Sequence, residues 1–223
     1  PLNMIYAPDL DENPIPYQMV LAATPQMNTM PELLPNQDIN RTSRVFTFIG
    51  NTSDTLTVYL PEKGCLKILS PDTDPRAFQA DRYADLWKSI IPLSDLSRID
   101  LTAPRAELPA LYFGDVSTDN WCYYYQQAAN AEQRQAWTEV VSIYQDAENA
   151  GFRPEDNSEW LPLIKSYIYM GEIEAALKLS EELEIDNDFT LRGLCCVWQN
   201  HGQPINEEYV EKQNLLLLRW DCD

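Results

Sequence analysis

Histidine occurs once in 223 residues, glycine seven times, and acidic side chains outnumber basic ones 35 to 16. Each scarcity excludes something. A net charge of −19 leaves no basic face with which to displace counterions from a nucleic acid or to dock on anionic lipid. One imidazole, His201, and five cysteines without a CxxC pair do not make a zinc site, which needs clustered thiolates and imidazoles. No apolar run approaches the ~20 residues of a membrane-spanning helix, and Leu215–Leu218 is far too short. There is no signal-peptide pattern, no G-x-S-x-G, no Walker loop, no dinucleotide fingerprint and no H-E-x-x-H. The sequence therefore assigns no catalytic residue, no metal site and no cofactor. The chain starts at Pro1 rather than Met, which suggests a processed chain or a piece of a longer protein.

What is present is a globular composition, 44% apolar, organised around Asn120–Leu183. Gln135–Val141 and Gly171–Leu177 align at an offset of 36 positions, close to the roughly 34 of a tetratricopeptide-type repeat. Tyr167-x3-Gly171 recurs as Trp198-x3-Gly202, a degraded third copy. Helices are expected from Asn120 to Gln133, Trp137 to Asn149, a third opened by an Asp156-x-x-Glu159 capping box, then Glu172 to Glu184, Asp188 to Trp198, and a last one from Asn206. Ala128, Ala131, Ala175 and Ala176 are small enough for such helices to approach closely.

The first part differs. A strand at Leu2–Ala7 and an apolar run at Tyr17–Ala23 precede a turn-rich loop, Met27–Asn40. Val45–Ile49, Thr55–Leu60 and Cys65–Leu69 alternate around turn residues and predict a three-stranded antiparallel meander, with Leu56, Val58 and Leu60 on its buried face. Asp74-Pro75 opens a helix carrying Phe78, Tyr83, Leu86, Trp87, Ile90 and Ile91 as one apolar stripe, ended by Pro92. A further short strand is expected near Arg98–Leu101, and a boundary near Leu108–Val116. The fold class is α+β: residues 1–113 a small antiparallel sheet with a covering helix, residues 114–223 a tetratricopeptide-like antiparallel helical array.

Trp121-Cys122-Tyr123-Tyr124-Tyr125 is the most unusual string. At 100° per residue these side chains fan over more than half of a helix, so they do not all reach one core. One reading makes Trp121, Tyr125 and Ala128 core and the other tyrosines an amphipathic rim. The other makes Trp121, Tyr123, Tyr124 and Gln127 a binding surface on the first helix of a pair, the helix that lines the concave face of such arrays. Cys122 and Cys195 fall among apolar neighbours in predicted helices, where buried free thiols are expected. Asn40-Arg41-Thr42 and Asn51-Thr52-Ser53 match the glycosylation pattern, which matters only in a secretory setting.

Four strings in order, Pro1–Pro8, Gly64–Leu69, Trp121–Tyr125 and Glu159–Ile164, resemble the C-terminal soluble portion of large bacterial polytopic membrane proteins of the protein O-mannosyltransferase type, which are lipid-dependent glycosyltransferases. The resemblance implies a domain that follows the last membrane helix, on the extracytoplasmic side, with the membrane part of the same polypeptide as one partner. The acidic catalytic residues of such enzymes lie in loops of that membrane part, so none carries over. The implied role is accessory: binding a protein partner or a glycan acceptor, with no nucleic acid involved. The alternatives are a fragment that contributes residues to a glycosyltransferase site at the membrane face, and a free-standing scaffold.

Overall fold

The computed structural model describes residues 15–21, 30–44, 46–102, 114, 117–200 and 207–222. The expected strand at Leu2–Ala7, the boundary at Leu108–Val116 and His201 lie outside the described residues. Among the described residues the chain is mixed α+β, with seven helices and two small antiparallel sheets, about 53% helical. Two compact units emerge, and neither is continuous in sequence. One gathers residues 1–58, 68–72 and 82–116; the other gathers 59–67, 73–81 and 117–223.

In the first unit, β1 (Asp38–Ser43) pairs antiparallel with β2 (Phe46–Asn51), Asp38 opposite Asn51 and Arg41 opposite Phe48. Ile15 bridges to Phe48. Part of the expected Met27–Asn40 loop is therefore a strand. Its polar sequence, DINRTS, carries no apolar alternation, and pairing with β2 supplies its order. Below the hairpin, Thr52 is buried. Its hydroxyl donates to the Leu34 carbonyl at 2.6 Å and accepts from the Gln37 N–H at 2.9 Å. The Thr57 hydroxyl donates to the Ile90 carbonyl at 3.1 Å, and the Thr57 N–H donates to Ser94 Oγ at 3.1 Å. Ile39, Leu69, Trp87, Ile91 and Leu93 supply buried apolar surface. Helix α1 covers Ala84–Ile90.

The meander is not formed. β3 (Val58–Tyr59) and β4 (Lys67–Ile68) make a separate two-stranded sheet. Its buried face is also the opposite one. Leu56, Val58 and Leu60 are exposed, whereas Thr57, Cys65, Lys67 and Leu69 are buried. Period-two alternation fixes two faces but not which one turns inward; here hydrogen bonds and an ion pair claim the polar set. The long helix expected from Asp74 is also interrupted. Asp74 caps a 3-10 turn at Pro75–Phe78, accepting from the Arg76 N–H at 2.8 Å, and helical structure resumes only at Ala84. Arg98–Leu101 is not a strand; residues Leu96–Arg98 form a 3-10 turn capped by Asp95.

Among its described residues the second unit holds six helices: α2 (Trp121–Gln133), α3 (Trp137–Asn149), α4 (Leu161–Met170), α5 (Ile173–Glu182), α6 (Asp188–Asn200) and α7 (Glu207–Arg219). Asn120 caps α2, its side chain accepting from the Tyr123 N–H at 3.0 Å. Short turns join α2 to α3 and α4 to α5, which makes each pair an antiparallel hairpin. Both turns use one left-handed residue, Gln135 (φ 58°) and Gly171 (φ 79°). The backbone bonds repeat as well: Ala136 N–H to Ala131 O and Gln135 N–H to Glu132 O in the first, Glu172 N–H to Tyr167 O and Gly171 N–H to Ile168 O in the second. This is the Schellman pattern of helix ends, reproduced 36 positions later.

Two apolar clusters result. Trp121, Tyr125, Ala128, Ala131, Val140, Tyr144, Ala147 and Leu163 bury one stripe each of α2, α3 and α4, together with Cys65. Ile164, Ile168, Ala176, Leu177, Leu194 and Trp198 do the same for α4, α5 and α6, joined by Leu216 and Trp220 at the end of the chain.

Candidate functional site

The four candidate binding residues do not share a surface. Trp121 lies in the core, 7% exposed, with its indole N–H donating to Glu159 Oε2 at 2.6 Å. Tyr123 and Tyr124 are half-buried and meet edge to face at 5.5 Å between ring centres. Tyr124 continues onto Phe152 at 5.8 Å. Gln127 is exposed one turn on, its amide donating to the Tyr123 carbonyl at 3.4 Å. The structure thus builds an aromatic ledge of Tyr123, Tyr124 and Phe152 beside Gln127, and places Trp121 behind it. Helix periodicity explains the split: Trp121, Tyr125 and Ala128 point inward along one stripe, and the residues between them turn away.

The most concentrated chemistry lies underneath, within the same unit. Lys67 is 4% exposed, and its ammonium sits 3.2 Å from Asp156 Oδ2 and 3.5 Å from Glu159 Oε1. Glu159 is fully buried. Its Oε1 accepts from the Cys65 N–H, its Oε2 from the Trp121 indole, and its backbone carbonyl from the Tyr144 hydroxyl. The rings of Tyr125 and Phe189 lie 5.9 and 5.8 Å from the Lys67 nitrogen. Gly64 makes the approach possible. It holds φ 92°, and a Cβ there would stand 2.7 Å from Asp156 Cβ and closer still to Glu159 Oε1. A disulfide between Cys65 and Cys122, Cα atoms 5.2 Å apart, fastens this segment to α2.

The electrostatics follow from burial. The Tyr125 hydroxyl is pushed far up by desolvation, then by the carboxylates of Glu132, Glu159 and Asp156. Tyr144 is raised for the same leading reason, with Tyr125, Glu132 and Glu159 adding to it. Both Glu159 oxygens face the Cys65 N–H, the Trp121 indole and the Lys67 ammonium rather than solvent.

Three sequence expectations are overturned here. Asp156 caps the 3-10 turn Asn157–Trp160 by itself, while Glu159 makes no capping box and points into the core. Cys122 is not a free thiol. Nor is Cys195, which pairs with Cys222 across 27 residues. Cys196 is the free cysteine. Lys67, Asp156 and Glu159 were invisible as a set because the bond from Cys65 to Glu159 spans 94 positions. The available signal was Trp121 itself, since a buried indole N–H requires an acceptor.

Among the described residues, no group of three or more His, Cys, Asp or Glu side chains is placed to hold a metal ion. Nor is any described helix long and apolar enough to cross a membrane. No protein-family model matches the chain, and no curated protein or solved structure matches it.

Proposed function

We propose that this chain is a non-catalytic interaction domain with a tetratricopeptide-like helical array. In this reading it is the soluble part of a membrane glycosyltransferase-like protein and docks a protein partner or glycan acceptor on the ledge of α2. The observation that carries the reading is the ledge itself: Tyr123, Tyr124 and Phe152 in continuous contact, with the exposed amide of Gln127 beside them. Tyrosine suits such a role because it combines a large apolar face with a polar tip and loses little rotamer freedom on binding. The two helical hairpins α2–α3 and α4–α5, whose turns lie 36 positions apart, support the repeat assignment. Two disulfides favour an oxidising, extracytoplasmic setting.

The test is site-specific photocrosslinking in cells that carry the intact protein. A photoreactive residue replacing Tyr123 should yield a discrete adduct, and one replacing the exposed Lys178 should not. Equal labelling from both positions would remove the ledge as a docking surface. The purified chain should turn over no lipid-linked sugar; turnover abolished by a single carboxylate substitution would make it part of an enzyme instead.

A further inference from the structure

Lys67 and Asp156 meet in the core, where the cap of the Asn157–Trp160 turn brings further donors to the same carboxylate. The Lys67 nitrogen is 3.2 Å from Asp156 Oδ2. The other Asp156 oxygen, Oδ1, accepts from the Ser158 N–H at 2.8 Å and from the Ser158 hydroxyl at 2.6 Å. A second carboxyl, Glu159, lies 3.5 Å from the same nitrogen. Tyr125 and Phe189 flank the nitrogen, and Trp121 and Tyr144 hold Glu159 in place. Nucleophile, electrophile, oxyanion donors and a proton carrier are therefore assembled in one water-poor place, built from residues far apart in sequence.

We propose that Lys67 and Asp156 condense into an intramolecular isopeptide bond, with Glu159 as the proton relay. Glu159 takes a proton from the Lys67 ammonium and passes it to Asp156, leaving a neutral amine beside a neutral acid. The Lys67 nitrogen then attacks Asp156 Cγ. Negative charge gathers on Oδ1, where the two Ser158 donors already point. Glu159 removes a second proton from the nitrogen and delivers it to Oδ2. The Cγ–Oδ2 bond breaks and one water leaves. Nothing is oxidised or reduced, no co-reactant is consumed, and Glu159 ends as it began. Asp156 retains 11% exposure, which gives the water a way out. Holding both partners in contact makes the condensation intramolecular.

Asp156 is the electrophile rather than Glu159 because it is nearer to the nitrogen, and its Oδ1 already faces the two Ser158 donors.

The experiment is intact mass spectrometry of the fully reduced and denatured 223-residue chain, followed by a tryptic map. The expected mass is one water below the sequence mass. The map should show no cleavage after Lys67, and one branched species joining the peptide 64–76 to the peptide 135–165. Lys67→Arg should restore the full mass. Asp156→Asn should lose ammonia instead of water. Glu159→Gln, where circular dichroism shows it folded, should remain unlinked. A parent chain at full sequence mass overturns the proposal without recourse to any variant. A branch at Glu159, or a folded Glu159→Gln chain linked as fully as the parent, overturns the assignment of roles.

Discussion

Gln135 and Gly171 occupy the same left-handed backbone position in successive hairpins, at φ 58° and 79°. Glycine adopts that conformation freely, whereas glutamine does so only where the surrounding helix end enforces it. The equivalence extends into the helices that follow. Val140 and Ala176, also 36 positions apart, are both fully buried.

That register makes Ala176 a sensitive position. Ala176→Leu should overpack the contact and cost about 1–3 kcal/mol. Lys178, two residues on, is exposed and only 3.9 Å from Glu182. Lys178→Ala should change stability by no more than about 0.5 kcal/mol. Urea midpoints of the two variants give the comparison, and an unchanged midpoint for Ala176→Leu would refute the helix crossing.

Glu159 should be the costliest acidic residue to remove. Glu159→Ala leaves the buried Trp121 indole and the Cys65 N–H without an acceptor, while Asp156 stays beside Lys67. Each buried donor left unpaired costs about 1–3 kcal/mol. Removing Asp85, whose carboxylate is almost fully solvent-exposed, should leave the urea midpoint nearly in place. Equal effects for the two would mean that Glu159 is solvated.

Thiol chemistry offers an independent check. Unfolded without reductant, the chain should expose a single reactive thiol, Cys196; after reduction it should expose five. Breaking Cys65–Cys122, which closes 57 residues, should cost about 2–4 kcal/mol. Cys196→Ser should cost no more than about 0.5 kcal/mol, because its recorded partner is a weak contact from Asn200 at 3.4 Å. Three or more free thiols in the unreduced chain would contradict the pairing.

Alkaline titration probes the two core tyrosines. Burial, followed by neighbouring carboxylates, holds Tyr125 above its ordinary value; Tyr144 is raised by burial, then by Tyr125 and carboxylates. A group raised on folding contributes stability that is intact below its unfolded value, about 10 for tyrosine, and is lost as pH climbs through the folded value. Exposed tyrosines should ionise first, by absorbance. The last two should ionise only together with the helical circular dichroism signal. Complete ionisation of a chain that keeps its helicity would show that both rings are accessible.

The helical half was legible because its signals are local. Gly171 and the apolar stripe Trp121, Tyr125 and Ala128 each act within one or two turns of the backbone. The sheet region was legible only as strand propensity. Which strand pairs with which depends on residues such as Thr52 and Thr57, whose hydroxyls reach 18 and 33 positions away. The Asp156-x-x-Glu159 spacing misled for a related reason: it fits a cap, but a buried indole, a backbone N–H and a lysine compete for the same carboxylate.

The two disulfides are nested in neither direction: Cys65–Cys122 closes before Cys195 is reached. Among the five cysteines of this sequence, Cys65 and Cys122 come first in order and are partners. Adjacent Cys195 and Cys196 precede Cys222, and only Cys195 pairs with it. Within this stretch, Cys196 is the residue that gives Cys222 a second candidate partner one position away.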